Sequence, residues 1–188
     1  MAAREIDGAL ILENTNLFYF SGAVPQGGLF VPLDDAPLLF VRRNPERIRR
    51  DSELQAVVPV SSLQEIPEVL ARCGFGRLRR LGMELDVLPV NHYRRWCETL
   101  NPGEIVDIWP LVRQVRMIKS AYEVGVARLA ADLADYMVTV AKDNLREGIT
   151  EVELAAVIEC AARKRGHQGL VRMRGFNQEV YWGHLLSG

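Results

Sequence analysis

The chain has 188 residues, 48% of them hydrophobic and 25% charged, which is enough apolar content for one large or two small cores and argues against disorder. A formal net charge of −1 gives no field that favours nucleic acid or an anionic membrane surface. Three cysteines, Cys73, Cys97 and Cys160, lack Cys-x-x-Cys spacing, and no apolar run approaches the roughly 20 residues of a membrane span; a cytoplasmic protein without a membrane or nucleic-acid partner is expected.

The first apolar runs, Gly8 to Leu12, Gly28 to Val31 and Leu38 to Val41, read as three strands, the last two forming a hairpin about Leu33–Ala36. Pro45 to Asp51 reads as a solvated turn of helix, and Ala56 to Val60 as a strand whose Pro59 places it near a sheet edge. Ser61 and Ser62, with Gln64 and Glu65 behind them, suggest a capped helix through Ile66, Val69, Leu70 and Cys73, with Pro67 delaying its start and Gly74 stopping it. Arg80 to Asp86 alternates as a strand does, Asn91 is a candidate cap for a helix carrying Tyr93, Trp96, Cys97 and Leu100, and Glu104 to Trp109 is a further strand. Alternating strands and helices with short connections predict a layered α/β domain over residues 1–112.

After a linker over 113–119 the pattern changes. Ser120-Ala-Tyr-Glu123 is a capping box opening a long helix through Val124, Ala127, Ala131, Ala134, Val138 and Ala141, with Gly148 as its expected C-cap. Thr150-Glu-Val-Glu153 is a second box, opening a helix that Gly166 closes. Leu170 to Phe176 and Val180 to Leu186 read as a hairpin about Asn177–Glu179. Two helices and one hairpin are little for a second domain, so residues 120–188 are expected to be the first part of a larger one.

Arg116-Met-Ile-Lys119-Ser120-Ala-Tyr-Glu123 resembles the Arg-x-x-Lys-Ser-x-x-Glu segment that opens the catalytic domain of the creatinase, aminopeptidase P and prolidase family. Glu147-Gly-Ile-Thr-Glu-Val-Glu-Leu-Ala155 is similar to the turn and second helix of that domain. Upstream, Asn16-Leu-Phe-Tyr19 with Gly22 resembles the family's Asn-x-x-Tyr-x-x-Gly stretch, and Gly82-Met-Glu84 its Gly-x-Glu strand.

The resemblance implies a creatinase-type N-terminal domain, a ribonuclease-H-like mixed sheet flanked by helices, followed by an incomplete α+β pita-bread metallopeptidase domain. It further implies that the full-length protein is an Xaa-Pro aminopeptidase or dipeptidase with two divalent metal ions (manganese, cobalt or zinc), a homodimer acting on proline-containing peptides. The N-terminal domain would govern substrate access and dimerisation. No catalytic or metal-ligating residue is expected in this chain, whose metal-ligand segment would lie beyond it, so the chain alone should be inactive. A non-catalytic binding or scaffolding homologue and a creatinase-like C–N hydrolase are the alternatives.

Among individual side chains, His92, His167 and His184 are scattered, without a His-x-x-x-His or His-Glu-x-x-His pattern. His184 is the one candidate substrate-binding residue, because the resemblance puts it on a strand lining the catalytic cleft. Arg172 and Arg174 with Tyr181 and Trp182 suggest a carboxylate-binding face, against the plainer expectation of solvated charges beside core aromatics. The arginine clusters at 42–43, 47–50, 77–80 and 94–95 are interspersed with acids and read as ordinary surface, and the cysteines, on apolar helical stripes, as buried and inert.

Overall fold

The structure is a computed structural model that describes residues 1, 5–175, 179–180, 182 and 185–187. It divides into two compact units, Met1–Val115 with Arg174–Phe176, and Arg116–Met173 with Asn177–Gly188.

The first unit is built on six strands: β1 (Gly8–Ile11), β2 (Gly27–Pro32), β3 (Leu38–Val41), β4 (Ala56–Pro59), β5 (Arg80–Met83) and β6 (Glu104–Asp107). They pair in the order β4-β3-β2-β1-β5-β6. β2 is antiparallel to both of its neighbours, while β3–β4, β1–β5 and β5–β6 are parallel. Five strands therefore run one way and β2 alone runs against them.

Among the described residues five helices cover the sheet: α1 (Asn14–Ser21), α2 (Pro45–Asp51), α3 (Ile66–Arg72), α4 (Val90–Leu100) and α5 (Trp109–Met117). Alternate side chains of each strand enter opposite cores. Leu10, Phe30, Phe40, Leu81 and Met83 join Ile66, Leu70 and Trp96 of α3 and α4, whereas Ala9, Ile11, Leu29, Leu39 and Val41 join Leu17, Ile48 and Val112 of α1, α2 and α5. Burial on both faces is why β1 and β3 are apolar at every position rather than alternating. This is the mixed α/β sheet flanked by helices that the resemblance implied.

Local chemistry accounts for the departures from the sequence reading. The segment after β1, for which the sequence reading named no element, forms α1: Glu13 caps it, accepting Asn16 N at 2.9 Å, and Gly22 ends it at φ +73°. Asn91 is not the cap of α4, which starts one residue earlier behind Pro89, whose fixed φ suits a helix entry. Ser62 makes no capping hydrogen bond; a 3₁₀ turn over Leu63–Glu65 precedes α3, and Glu65 instead accepts Ser61 N at 3.1 Å. Residues 113–117, read as linker, continue α5, where Trp109 N donates to Asp107 Oδ1 at 3.0 Å and Pro110 sits in the first turn.

The start of β5 is pinned to the turn before β1 by Asp7, whose Oδ2 accepts Arg79 N at 2.6 Å and Arg80 N at 3.0 Å. Those donors, the Arg80 amide above all, hold the Asp7 carboxyl below its ordinary 3.8. A depressed acid stabilises the fold above its unfolded pKa, and that contribution is lost as pH falls through the folded value. We expect Asp7→Asn to cost about 1 kcal/mol at neutral pH and the deficit to shrink on acidification below 3.8. Urea titrations of both proteins across pH would check this, and a deficit that grew with acid would refute it.

In the second unit, α6 (Ala121–Asn144) and α7 (Glu151–Lys164) both begin with complete capping boxes, Ser120 with Glu123 and Thr150 with Glu153. Gly148 is not the C-cap of α6; the helix ends at Asn144 with Leu145 behind it, and Gly148 takes φ +80° in the turn. α7 packs on α6, and its buried residues Leu154, Ile158 and Ala162 share one face at i, i+4 and i+8. No residue of α6 is fully buried, and Tyr122, Leu129 and Val138 are exposed. β7 (Val171–Arg172) pairs antiparallel with β8 (Glu179–Val180), the two ends of the expected hairpin.

Candidate functional site

The carboxyl ends of β1, β3 and β5 lie at one edge of the sheet, where α1 begins. A helix start leaves backbone N–H groups without intrahelical acceptors. Here the acceptor is Glu84, the first residue beyond β5: its Oε2 takes Leu12 N at 2.8 Å and Glu13 N at 2.9 Å, and its Oε1 takes the side-chain amide of Asn16. Glu84 is 1% exposed and Asn16 fully buried. Burial pushes the Glu84 carboxyl above its ordinary 4.5, against the downward pull of the Glu13, Asn16 and Leu12 donors and of Arg174.

Arg174 completes this network within the first unit. Its Nη2 lies 3.8 Å from Glu84 Oε1, its two terminal nitrogens grip Asp86 (Nη2–Oδ1 2.8 Å, with Nη1 on Oδ2), and its guanidinium stacks 3.6 Å from the Trp109 ring centre. The side chain is 7% exposed, so the expectation of a solvated charge is corrected: Asp86 and Trp109 replace its water.

Beside the network opens a cleft of about 550 Å³, bounded by Leu12, Gln26, Arg42, His92, Arg95 and Trp96 among others. His92 is thus a cleft residue. His167, in the second unit, stacks on Trp182 at 4.3 Å, and its Nδ1 accepts Gly169 N at 2.9 Å. His184 and Tyr181 lie outside the described residues. The cysteines are not buried as expected: Cys73 and Cys160 are exposed and Cys97 is intermediate. Cys73 follows the last turn of α3 rather than continuing its apolar stripe. Among the described residues no group of three or more His, Cys, Asp or Glu side chains converges as a metal site requires.

The meeting of Asn16, Glu84 and Arg174 was not read from sequence, although two of its members stand in the motifs quoted for the resemblance. A single acid closing the otherwise apolar run Leu81-Gly-Met-Glu84-Leu was the available signal, because an acid so placed needs donors.

Residues 1–118 match the family described as the creatinase/prolidase N-terminal domain. The chain belongs to the creatinase/prolidase family. Among its relatives, the Xaa-Pro dipeptidase of Pyrococcus furiosus is 28% identical over 167 residues, covering 88% of this chain and 46% of the relative. The solved prolidase from Pyrococcus furiosus superposes with a TM-score of 0.77 at 28% identity, over 91% of this chain and 54% of that one. The creatinase/prolidase N-terminal domain of an X-Pro dipeptidase from Streptococcus pyogenes shares the fold, with a TM-score of 0.51 at 20% identity over 60% of this chain and 90% of that one.

The chain spans about half the length of the curated relatives it matches. An alignment of 167 residues is longer than the domain match to residue 118, so the likeness to the family continues into the α6–α7 unit. Among the described residues no helix is long and apolar enough to cross a membrane.

Proposed function

We propose that this chain is the N-terminal portion of a metal-dependent Xaa-Pro dipeptidase or aminopeptidase, in which the α/β unit limits substrate access and contributes to a homodimer. The observation that carries the reading is the likeness to an Xaa-Pro dipeptidase along 88% of the chain, through both compact units. In this reading the residues described here bind no catalytic metal. Two divalent ions, manganese, cobalt or zinc, would belong to the part of the relatives' length that this chain does not span. There they would activate a water and polarise the scissile carbonyl. The reading keeps His184 as a substrate contact and the cytoplasm as the compartment.

The test is hydrolysis of Xaa-Pro dipeptides and longer Xaa-Pro peptides by the complete protein, with each metal and after chelation, beside the 188-residue chain alone. Metal-dependent cleavage by the complete protein and none by the chain is the expected result. A complete protein that folds, binds proline peptides and cleaves none under any metal would favour the scaffolding alternative. Cleavage of creatine in place of peptides would favour the C–N hydrolase.

A further inference from the structure

The charged groups on the wall of the cleft are not equally available to a ligand. Both oxygens of Glu84 are occupied by the Leu12 and Glu13 amides and the Asn16 side chain, and Glu13 Oε2 accepts Asn16 N at 2.9 Å. The two acids are thus turned into the start of α1. Arg42 and Arg95 are exposed, and among the described residues their guanidinium groups make no ion pair or hydrogen bond. The unspent electrostatics of the cleft is cationic although its composition is mixed.

Between these groups the surface is apolar. Leu12, Val87 and Leu88, half-buried, give the cleft its accessible apolar lining, and Leu17, Leu63 and Trp96, each less than 9% exposed, border it from α1, the turn before α3, and α4. A volume of about 550 Å³ falls within the range of about 300–1,000 Å³ common to small-molecule sites. The position, beyond the carboxyl ends of strands, is the one open α/β sheets favour for ligands. An amine finds only the second oxygen of Glu13 left open, against two unpaired guanidinium groups, and a bare inorganic anion leaves Leu12, Val87 and Leu88 uncovered.

We propose that this cleft binds a small organic carboxylate with an apolar body, such as the carboxyl end of a short peptide, with Arg42 and Arg95 holding the carboxylate and Leu12, Val87 and Leu88 its body. The proposal stands apart from the peptidase reading, since it needs no metal and no cleavage.

The experiment is an amide and indole NMR titration of the 188-residue chain with N-acetyl-leucine, N-acetyl-leucinamide and inorganic phosphate. N-acetyl-leucine is expected to shift the Trp96 indole signal saturably. Removing the charge from the ligand, or using the double variant Arg42→Gln, Arg95→Gln, is expected to weaken binding about tenfold or more, the worth of a charge-assisted hydrogen bond. Both arginines are exposed, so the variant should keep the parent unfolding midpoint. Absence of a saturable shift, equal binding of the amide, phosphate binding as tightly as the leucine derivative, or a double variant that binds like the parent would each overturn the proposal.

Discussion

Glu84→Ala is expected to lower the unfolding free energy by about 3–5 kcal/mol, the cost of removing one member of a buried charge network. The substitution leaves the Leu12 and Glu13 amides and the Asn16 side chain without their acceptor, in a place where water has little access. Each buried donor left unmatched costs about 1–3 kcal/mol, so the estimate stands even with partial relaxation. A urea titration followed by circular dichroism, with an unchanged slope, measures it directly. A loss below about 1 kcal/mol would mean that water or a neighbouring group replaces the carboxylate.

The same carboxyl gives the fold a pH signature. Its folded pKa is raised by burial, so the native state holds the proton more tightly than the unfolded chain does. The stability this contributes is complete below the ordinary value of 4.5 and is lost as pH rises through the folded value. Relative to Glu84→Gln, which cannot titrate, the parent protein should lose ground as pH rises above 4.5. A difference between the two that stayed flat with pH would show that Glu84 has the same proton affinity folded and unfolded.

The second large effect is expected at Gly82, in the middle of β5. A methyl group there would overlap Cγ2 of Ile108, which is 2% exposed, and would touch Ile6 at 3.5 Å. Overfilling a close-packed core typically costs about 1–3 kcal/mol, and Gly82→Ala should fall in that range. The cause is separable by a double-mutant cycle with Ile108→Ala, since removing the obstructing methyl should make the two losses less than additive. Strict additivity would place the strain elsewhere in the strand.

These two residues explain part of what the sequence made legible. Gly82-Met-Glu84 stands out as a motif, and the structure gives each of its outer residues a reason: a strand surface that Ile108, just ahead of α5, can approach, and an acceptor for the start of α1. What the chain order did not convey is that Asn16, 68 residues away, closes the same network. Local periodicity carries no information about such a pairing. Elements with strong local chemistry, such as the capping boxes at Ser120 and Thr150 and the apolar strands β1 and β3, were readable for that reason.

The elements missed or misread had weaker local signals. α1 is eight residues long, carries three consecutive aromatics and is capped by a glutamate, so neither propensity nor its cap announces a helix. α5 follows directly on a strand and holds Pro110, which reads as a break until its place in the first turn is known. For Arg174 the deciding partners, Asp86 and Trp109, are distant in sequence, and a charged residue two positions past β7 gave no sign of them.

The order of the strands bears on how the protein is made. β1 is near the start of the chain, and its β2 neighbour follows within about 20 residues, but its other neighbour is β5, with Gly8 opposite Leu81. At about 5–20 residues per second, synthesis leaves one edge of that apolar strand unpaired for on the order of 4–14 s. During that interval the nascent sheet offers a bare hydrogen-bonding edge, a natural point for chaperone capture or for pairing with another growing chain. The arrival of β5, and of Glu84 immediately behind it, closes the edge and secures the start of α1 in one step.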